Sequence, residues 1–222
     1  IDMTDHAVDE QSERTAESDE NVIERLARGG GLAFGPGLFS KGVGFVFQVL
    51  LARFLGPSGY GLYVLGWTVA HYLQPVALLG FPDGLVRFIP AYRTDDEHEK
   101  VRGTVLSAIS ISTGLALVAA VGIFSLADVL AVRIFHNPEF TSVLRLFAVT
   151  IPFYILMHIT TAAAVGFQQV KYQQSIINVL FPLLKVSIIG LAFVAGYRLL
   201  GAVYGLLFAV GVSAAAGLLL LP

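Results

Sequence analysis

Two lysines occupy positions where a lysine is costly. Lys41 lies nine residues into one apolar run and Lys185 nine residues into another. If those runs are helices crossing a bilayer, a rise of about 1.5 Å per residue puts each ammonium about 14 Å from the near end, close to mid-depth. A charge there costs about 2.5–3.5 kcal/mol even on the most lenient scale. Snorkelling recovers several ångströms but not that whole distance. Each lysine is therefore expected to face a water-filled cavity or a partner. The plain alternative is snorkelling on a flexible or shifted helix, and it is most open at Lys41, where Gly35-Pro36-Gly37 blurs the helix start. The chemistry of an ammonium so placed is to hold an anion.

Other polar residues recur at helical spacing beside them. Lys41, Gly44 and Gln48 share one face of a first helix, and Trp67, His71, Gln74 and Leu78 form a stripe on a second. Tyr154, His158 and Thr161 do so on a fourth, and Asn178 with Lys185 on a fifth. Four polar seams are expected where helices line one aqueous pocket. In the plainer reading Gln74, His158 and Asn178 bond neighbouring helices, each contributing about 0.6 kcal/mol. Asp83 and Arg87, four apart after the second run, either pair with each other or act at the cytoplasmic mouth of the pocket. Other chemistry has no foothold. There is no Gly-x-x-x-x-Gly-Lys loop, no HExxH and no GxSxG. His6, His71, His98, His136 and His158 lack metal-ligand spacing, and the absence of cysteine excludes disulfides and thiolate metal sites. No catalytic residue, metal or cofactor is expected.

The elements that must position these residues are six apolar runs, at about 32–54, 60–80, 103–125, 143–165, 176–196 and 200–221. Each is near the ~20 residues that span a ~30 Å hydrocarbon core. Apolar residues make up 55% of the chain and charged residues 14%, and soluble helices would need a polar face for water. The strict alternation of a membrane strand is absent. The prediction is an all-α, polytopic six-helix lobe over 32–222, preceded by an acidic tail, 1–31, that holds nine of the sixteen acidic residues and is expected to be disordered. Gly56-Pro57-Ser58-Gly59 and Tyr197–Leu199 predict tight helical hairpins. Phe81–Arg102 reads as a longer charged loop with an interfacial stretch at Arg87, Phe88 and Ile89. Leu126–Ser142 reads as the longest outer connection, with Asn137-Pro138-Glu139 starting the fourth helix. Gly201, Gly205, Ala209, Ser213 and Gly217 form a small-residue packing face, and Gly103, Ser107, Ser110 and Gly114 a milder one. Pro75, Pro152 and Pro182 are expected to bend their helices. Eight Lys and Arg on the segments inside, against four outside, orient the N-terminus to the cytoplasm. A start at Ile1 and a stop at Leu221-Pro222 suggest a piece of a longer protein.

Two stretches resemble a known family. RFLGPSGYGLYVLGWTVAHYLQPVALLGFPDGLVRFIPAY is similar to the N-terminal region of the oligosaccharide flippases, also called polysaccharide biosynthesis transporters. RLFAVTIPFYILMHITTAAAVGFQQVKYQQSIINVLFPLLK resembles the fourth and fifth helices of the same family, with their Gly-Phe-Gln loop. The resemblance covers about 32–222. It implies membership of the multidrug/oligosaccharidyl-lipid/polysaccharide exporter superfamily, in which two six-helix lobes face each other across a cationic cavity, so that this chain is one lobe and a C-terminal lobe is missing. It implies a flippase in the cell membrane, not an enzyme, whose substrate is a polyprenyl-linked oligosaccharide. Its partners would be the bilayer, that lipid-linked glycan, and glycosyltransferases or a polymerase; nucleic acid is not among them. The cavity expected from the seams comprises Lys41, Gln48, His71, Gln74, His158, Asn178 and Lys185. The alternatives are a drug or cation antiporter of the same superfamily, which would want carboxylates at mid-depth, and a non-transporting scaffold or an enzyme of glycan assembly.

Overall fold

The computed structural model describes residues 37, 38, 40–94, 97–197 and 199–221. The expected acidic tail, 1–31, lies outside the described residues. The chain divides into two units, Ile1–Phe39 and Ser40–Pro222, and the bundle is built by the second. Among the described residues the secondary structure is helical throughout, with no strand. We number the helices α1 (Met3–Leu78), α2 (Phe81–Thr94), α3 (His98–Val129), α4 (Phe140–Gly166), α5 (Val170–Gln174), α6 (Phe181–Val194) and α7 (Leu199–Leu219). Two π-helical turns, Leu130–Ile134 and Ser175–Leu180, extend α3 and join α5 to α6.

Among the described residues five helices are long and apolar enough to cross a membrane: Ser40–Thr94, His98–Ile134, Phe140–Gly166, Val170–Val194 and Leu199–Leu219. The sequence predicts six, and the difference lies in the first. Its 55 residues would reach about 80 Å if straight. They are not straight, because Gly56 leaves helical geometry at φ 68°, ψ 176°. The rings of Phe47 and Tyr63 lie 6.3 Å apart, where an unbroken helix would separate them by about 24 Å. The chain thus doubles back at Gly56, as the Gly-Pro-Ser-Gly turn requires, and this one stretch takes in the second expected run and the first from Ser40 onward.

Other boundaries shift for local reasons. Phe81–Arg102 is not an open loop: its first part is α2, with Leu85 and Ile89 buried on one side and Asp83, Arg87 and Phe88 exposed on the other. Asp83 in its first turn and Arg93 in its last match the helix dipole. The outer connection shrinks to about Phe135–Glu139, because α3 and its π turn run on to Ile134. There the Asn137 side chain accepts a hydrogen bond from the Glu139 N–H at 3.0 Å, and α4 starts at Phe140 as expected. Pro182 sits in the first turn of α6, directly after the π turn. A proline has no N–H for the carbonyl four residues back and its ring crowds that carbonyl. The wider π turn relieves both problems, with the Phe181 N–H bonding the Ile176 carbonyl instead.

The core gathers around α4, which packs against α2, α3 and α7. All five members of the α7 small-residue face are buried, with Gly205 against Ile189 of α6 and Gly217 against Thr160 of α4. The companion face expected on α3 is a correction: Gly103, Ser107, Ser110 and Gly114 are all exposed. The buried seam of α3 is instead Ala108, Ser112, Ala116 and Ala120, also small and also every four residues, but rotated round the helix. Large apolar side chains cover much of the outside, among them Val118, Val121, Leu191 and Phe208, a surface suited to acyl chains and not to water.

Two glycines on α1 make checkable demands. Gly56 sits in a region of φ/ψ space open in practice only to glycine, so Gly56→Ala is expected to cost about 1–3 kcal/mol. Gly66 is buried where an added Cβ would run into the Phe147 ring, and overpacking of that kind also costs about 1–3 kcal/mol. Gly61→Ala adds a methyl to open space. Thermal melting in detergent, followed by size-exclusion fluorescence, should show a lowered midpoint for Gly56→Ala and Gly66→Ala and none for Gly61→Ala.

Candidate functional site

Lys185 lies near the middle of the Val170–Val194 span, half-buried on α6. Its ammonium stands over two rings, 4.3 Å from the centre of Phe47 and 5.4 Å from that of Phe181. Phe181 precedes it by one helical turn, while Phe47 comes from the first arm of the α1 hairpin. Such cation–π contacts contribute up to about 2 kcal/mol each when desolvated, enough to offset much of the cost of placing a charge at this depth. They leave the charge itself unneutralised. Among the described residues no carboxylate pairs with Lys185.

Lys185 lines a cleft of about 200 Å³ with both arms of that hairpin: Gly44, Phe47, Gln48 and Leu51 on one, Tyr60, Tyr63, Val64 and Trp67 on the other. The lining holds one charged group, one amide and three aromatic rings that carry a polar atom. The hairpin at Gly56 is what brings the arms together, and Tyr63 is braced from behind by Phe147 of α4, ring centres 5.4 Å apart.

Of the residues expected in a common cavity, the structure brings Gln48 and Lys185 together in this cleft. His71 and His158 reach its edge through an aromatic series. Trp67 stacks on His71 at 6.2 Å, meets Tyr154 edge-on at 5.4 Å, and Tyr154 meets His158 edge-on at 4.6 Å. Trp67 belongs to both the cleft and this series, so α1, α4 and α6 share one polar and aromatic wall. Gln74 and Asn178 are half-buried outside the cleft lining. The seven-residue spacing that pairs Asn178 with Lys185 assumes α-helical pitch, and Asn178 lies in the π turn, which breaks that register. Lys41 is exposed and also stands outside the lining. Thr161 is buried and its hydroxyl donates to the Met157 and His158 carbonyls of its own helix at 2.8 and 3.0 Å, so it faces the core.

The plainer reading of these polar groups, as cross-links between helices, finds no support. Among the described residues Gln74, His158 and Asn178 form no hydrogen bond to a neighbouring helix. Asp83 and Arg87 make no ion pair with each other; the Arg87 guanidinium instead lies 5.9 Å from the centre of the Phe88 ring. Asp128, toward the end of the His98–Ile134 span, is taken by Arg145 at 2.7 Å. Sequence spacing alone misses Phe47, Tyr60 and Tyr63, because their place in the cleft depends on the fold of the hairpin. Phe181 had a signal, lying four residues before Lys185 on the same face.

No solved structure matches this chain. Over 111 residues it is 31% identical to the succinoglycan biosynthesis transport protein ExoT of Rhizobium meliloti (strain 1021), a match covering 50% of this chain and 20% of that protein. Over 82 residues it is 24% identical to stage V sporulation protein B of Bacillus subtilis (strain 168), covering 37% of this chain and 16% of that one. The chain therefore spans far less than two thirds of either relative. Residues 26–221, nearly the whole bundle with the Lys185 cleft inside it, match the polysaccharide biosynthesis protein family. This multi-pass membrane chain belongs to that family.

Proposed function

We propose that this chain is one lobe of a flippase that moves a polyprenyl-linked oligosaccharide from the inner to the outer leaflet of the cell membrane, with its N-terminus in the cytoplasm. The observation that carries this reading is the Lys185 ammonium, set mid-span over aromatic faces with no carboxylate to neutralise it among the described residues. An anion entering the cleft would supply the missing charge, in surroundings where such pairing is stronger than in water. The phosphate or diphosphate of a lipid-linked sugar fits that role, while its isoprenoid tail stays in the bilayer. Gln48 adds an amide donor. His71, Gln74, His158 and Asn178 would meet sugar hydroxyls, and Lys41, two turns before Gln48 on α1, would offer a second positive charge on the way in. Asp83 and Arg87 would sit at the cytoplasmic mouth. An inside-negative membrane favours outward passage of the head by about 2.3 kcal/mol per charge per 100 mV. Alternating access would come from rocking of this lobe against a second one. The description of one relative as a transport protein of succinoglycan biosynthesis supports the same class. An antiporter is disfavoured by the lack of a carboxylate, among the described residues, in the cleft lining.

Lys185→Ala and Lys41→Ala are each expected to lower surface display of the glycan about tenfold, at equal amounts of protein in the membrane, since each removes a charge-assisted contact. Lys185→Arg keeps the charge and should fall between that and wild type. Undiminished display with Lys185→Ala would refute the assignment. Orientation has its own test, made clean by the absence of cysteine from the chain. In a background with no other cysteine, Ser58→Cys should react with an impermeant maleimide in intact cells, and Glu99→Cys only after permeabilisation. The reverse pattern would invert the topology.

A further inference from the structure

A second cavity lies at the end of the bundle where α2 stops and α3 begins. Its volume is about 450 Å³, and its lining shares no residue with the Lys185 cleft. Arg93, His98 and Arg102 stand at its rim, all exposed. Its walls are apolar, with Val101, Val105 and Ile109 from α3 and Leu218 from α7. We infer that this cavity binds a phosphate ester carried on a long apolar chain, the guanidiniums taking the phosphate and the apolar walls taking the first part of the chain.

Three observations carry this. Among the described residues the rim side chains are basic and no carboxylate lines the cavity; Glu97, just before α3, is paired with Lys100 at 2.6 Å. Arg93 is held in place, donating from Nη1 to the Phe167 carbonyl at 3.5 Å with its guanidinium 5.8 Å from the centre of the Phe167 ring. That uses one of its five donors and leaves the others for a bidentate phosphate contact. Lastly, charge and grease are arranged in order: Arg93 ends α2, Arg102 lies in the second turn of α3, and the apolar wall runs on down α3 from Val101 to Ile109. A soluble phosphate would leave that wall uncovered, whereas a lipid covers it.

The same chemistry has two sources, an anionic glycerophospholipid of the leaflet or a polyprenyl phosphate. Native mass spectrometry of the full-length protein in detergent, with phosphatidylglycerol, undecaprenyl phosphate, phosphatidylcholine or glycerol phosphate added, separates them. Both phosphate lipids of net negative charge should be retained, and whichever is retained more strongly identifies the source. Arg102→Gln should weaken retention severalfold, and Arg93→Gln with Arg102→Gln about tenfold or more. Ile109→Trp fills the wall while leaving both charges, and should weaken it as well. Because Arg93 also braces the Phe167 turn, the Arg102 and Ile109 variants keep the test valid if the double variant fails to fold. Lys185→Ala should leave retention of phosphatidylglycerol unchanged, and the two phosphate lipids are compared in that variant, so that this site and the proposed transport cleft stand or fall separately. Equal retention of phosphatidylcholine, equal binding of glycerol phosphate, or undiminished retention in Arg102→Gln and the double variant would each overturn the inference.

Discussion

In a lipid environment an apolar side chain gains nothing by leaving acyl chains for another helix, so the bundle depends on backbones coming close enough for dense packing. The residues at the centre obey that constraint. Gly201, Gly205, Ala209, Ser213 and Gly217 line the buried face of α7, and Ala108, Ser112, Ala116 and Ala120 that of α3. Between them α4 presents Thr150 and Thr160, whose hydroxyls donate to carbonyls of their own helix. Ser213 does the same on α7. Hydroxyls satisfied in this way need no partner across the interface, so polar atoms can be buried without dictating which helix they touch. Among the described residues ion pairs and long-range side-chain bonds, by contrast, are kept to the ends of the bundle, as with Arg145 and Asp128 or Arg93 and Phe167.

Against that background the wall formed by α1, α4 and α6 is different in kind. Its polar groups are not spent on holding helices together, and its charge is set on aromatic faces, which stabilise a cation without cancelling it. A carboxylate at the same place would form a closed pair and leave little attraction for a ligand. The aromatic series from His71 to His158 extends the wall beyond the charge.

Much of this was legible in the residues themselves. The third to sixth apolar runs overlap the four later spans, although the third stops about nine residues short of Ile134, and Gly-Pro-Ser-Gly located the hairpin, because both signals are local. The depth of Lys185 and its four-residue step from Phe181 were also local. What escaped was rotational or tertiary. Gly103, Ser107, Ser110 and Gly114 have the composition of a packing face, yet the alanine seam a third of a turn away is the one that α4 accepts; spacing cannot choose between two small-residue stripes on one helix. Asn178 stands outside the cleft that Lys185 lines, because it lies in the π turn just ahead of Pro182 and heptad spacing presumes uniform pitch. Lys41 was placed on the right helix, but whether its side chain shares a cleft depends on how that helix leans, which no single segment encodes.

The π turn at Ser175–Leu180 carries a mechanical implication. Such a turn stores one residue more than the surrounding coil requires, and its hydrogen bonds exchange with α-type bonds without breaking the strand of peptide groups. Were that surplus residue passed along into α6, the residues it passed over would screw round by about 100° while shifting by about 1.5 Å. Lys185 sits just past the turn, so the ammonium would swing like a crank from one side of its helix toward another, carried by backbone rotation with scarcely any change in length.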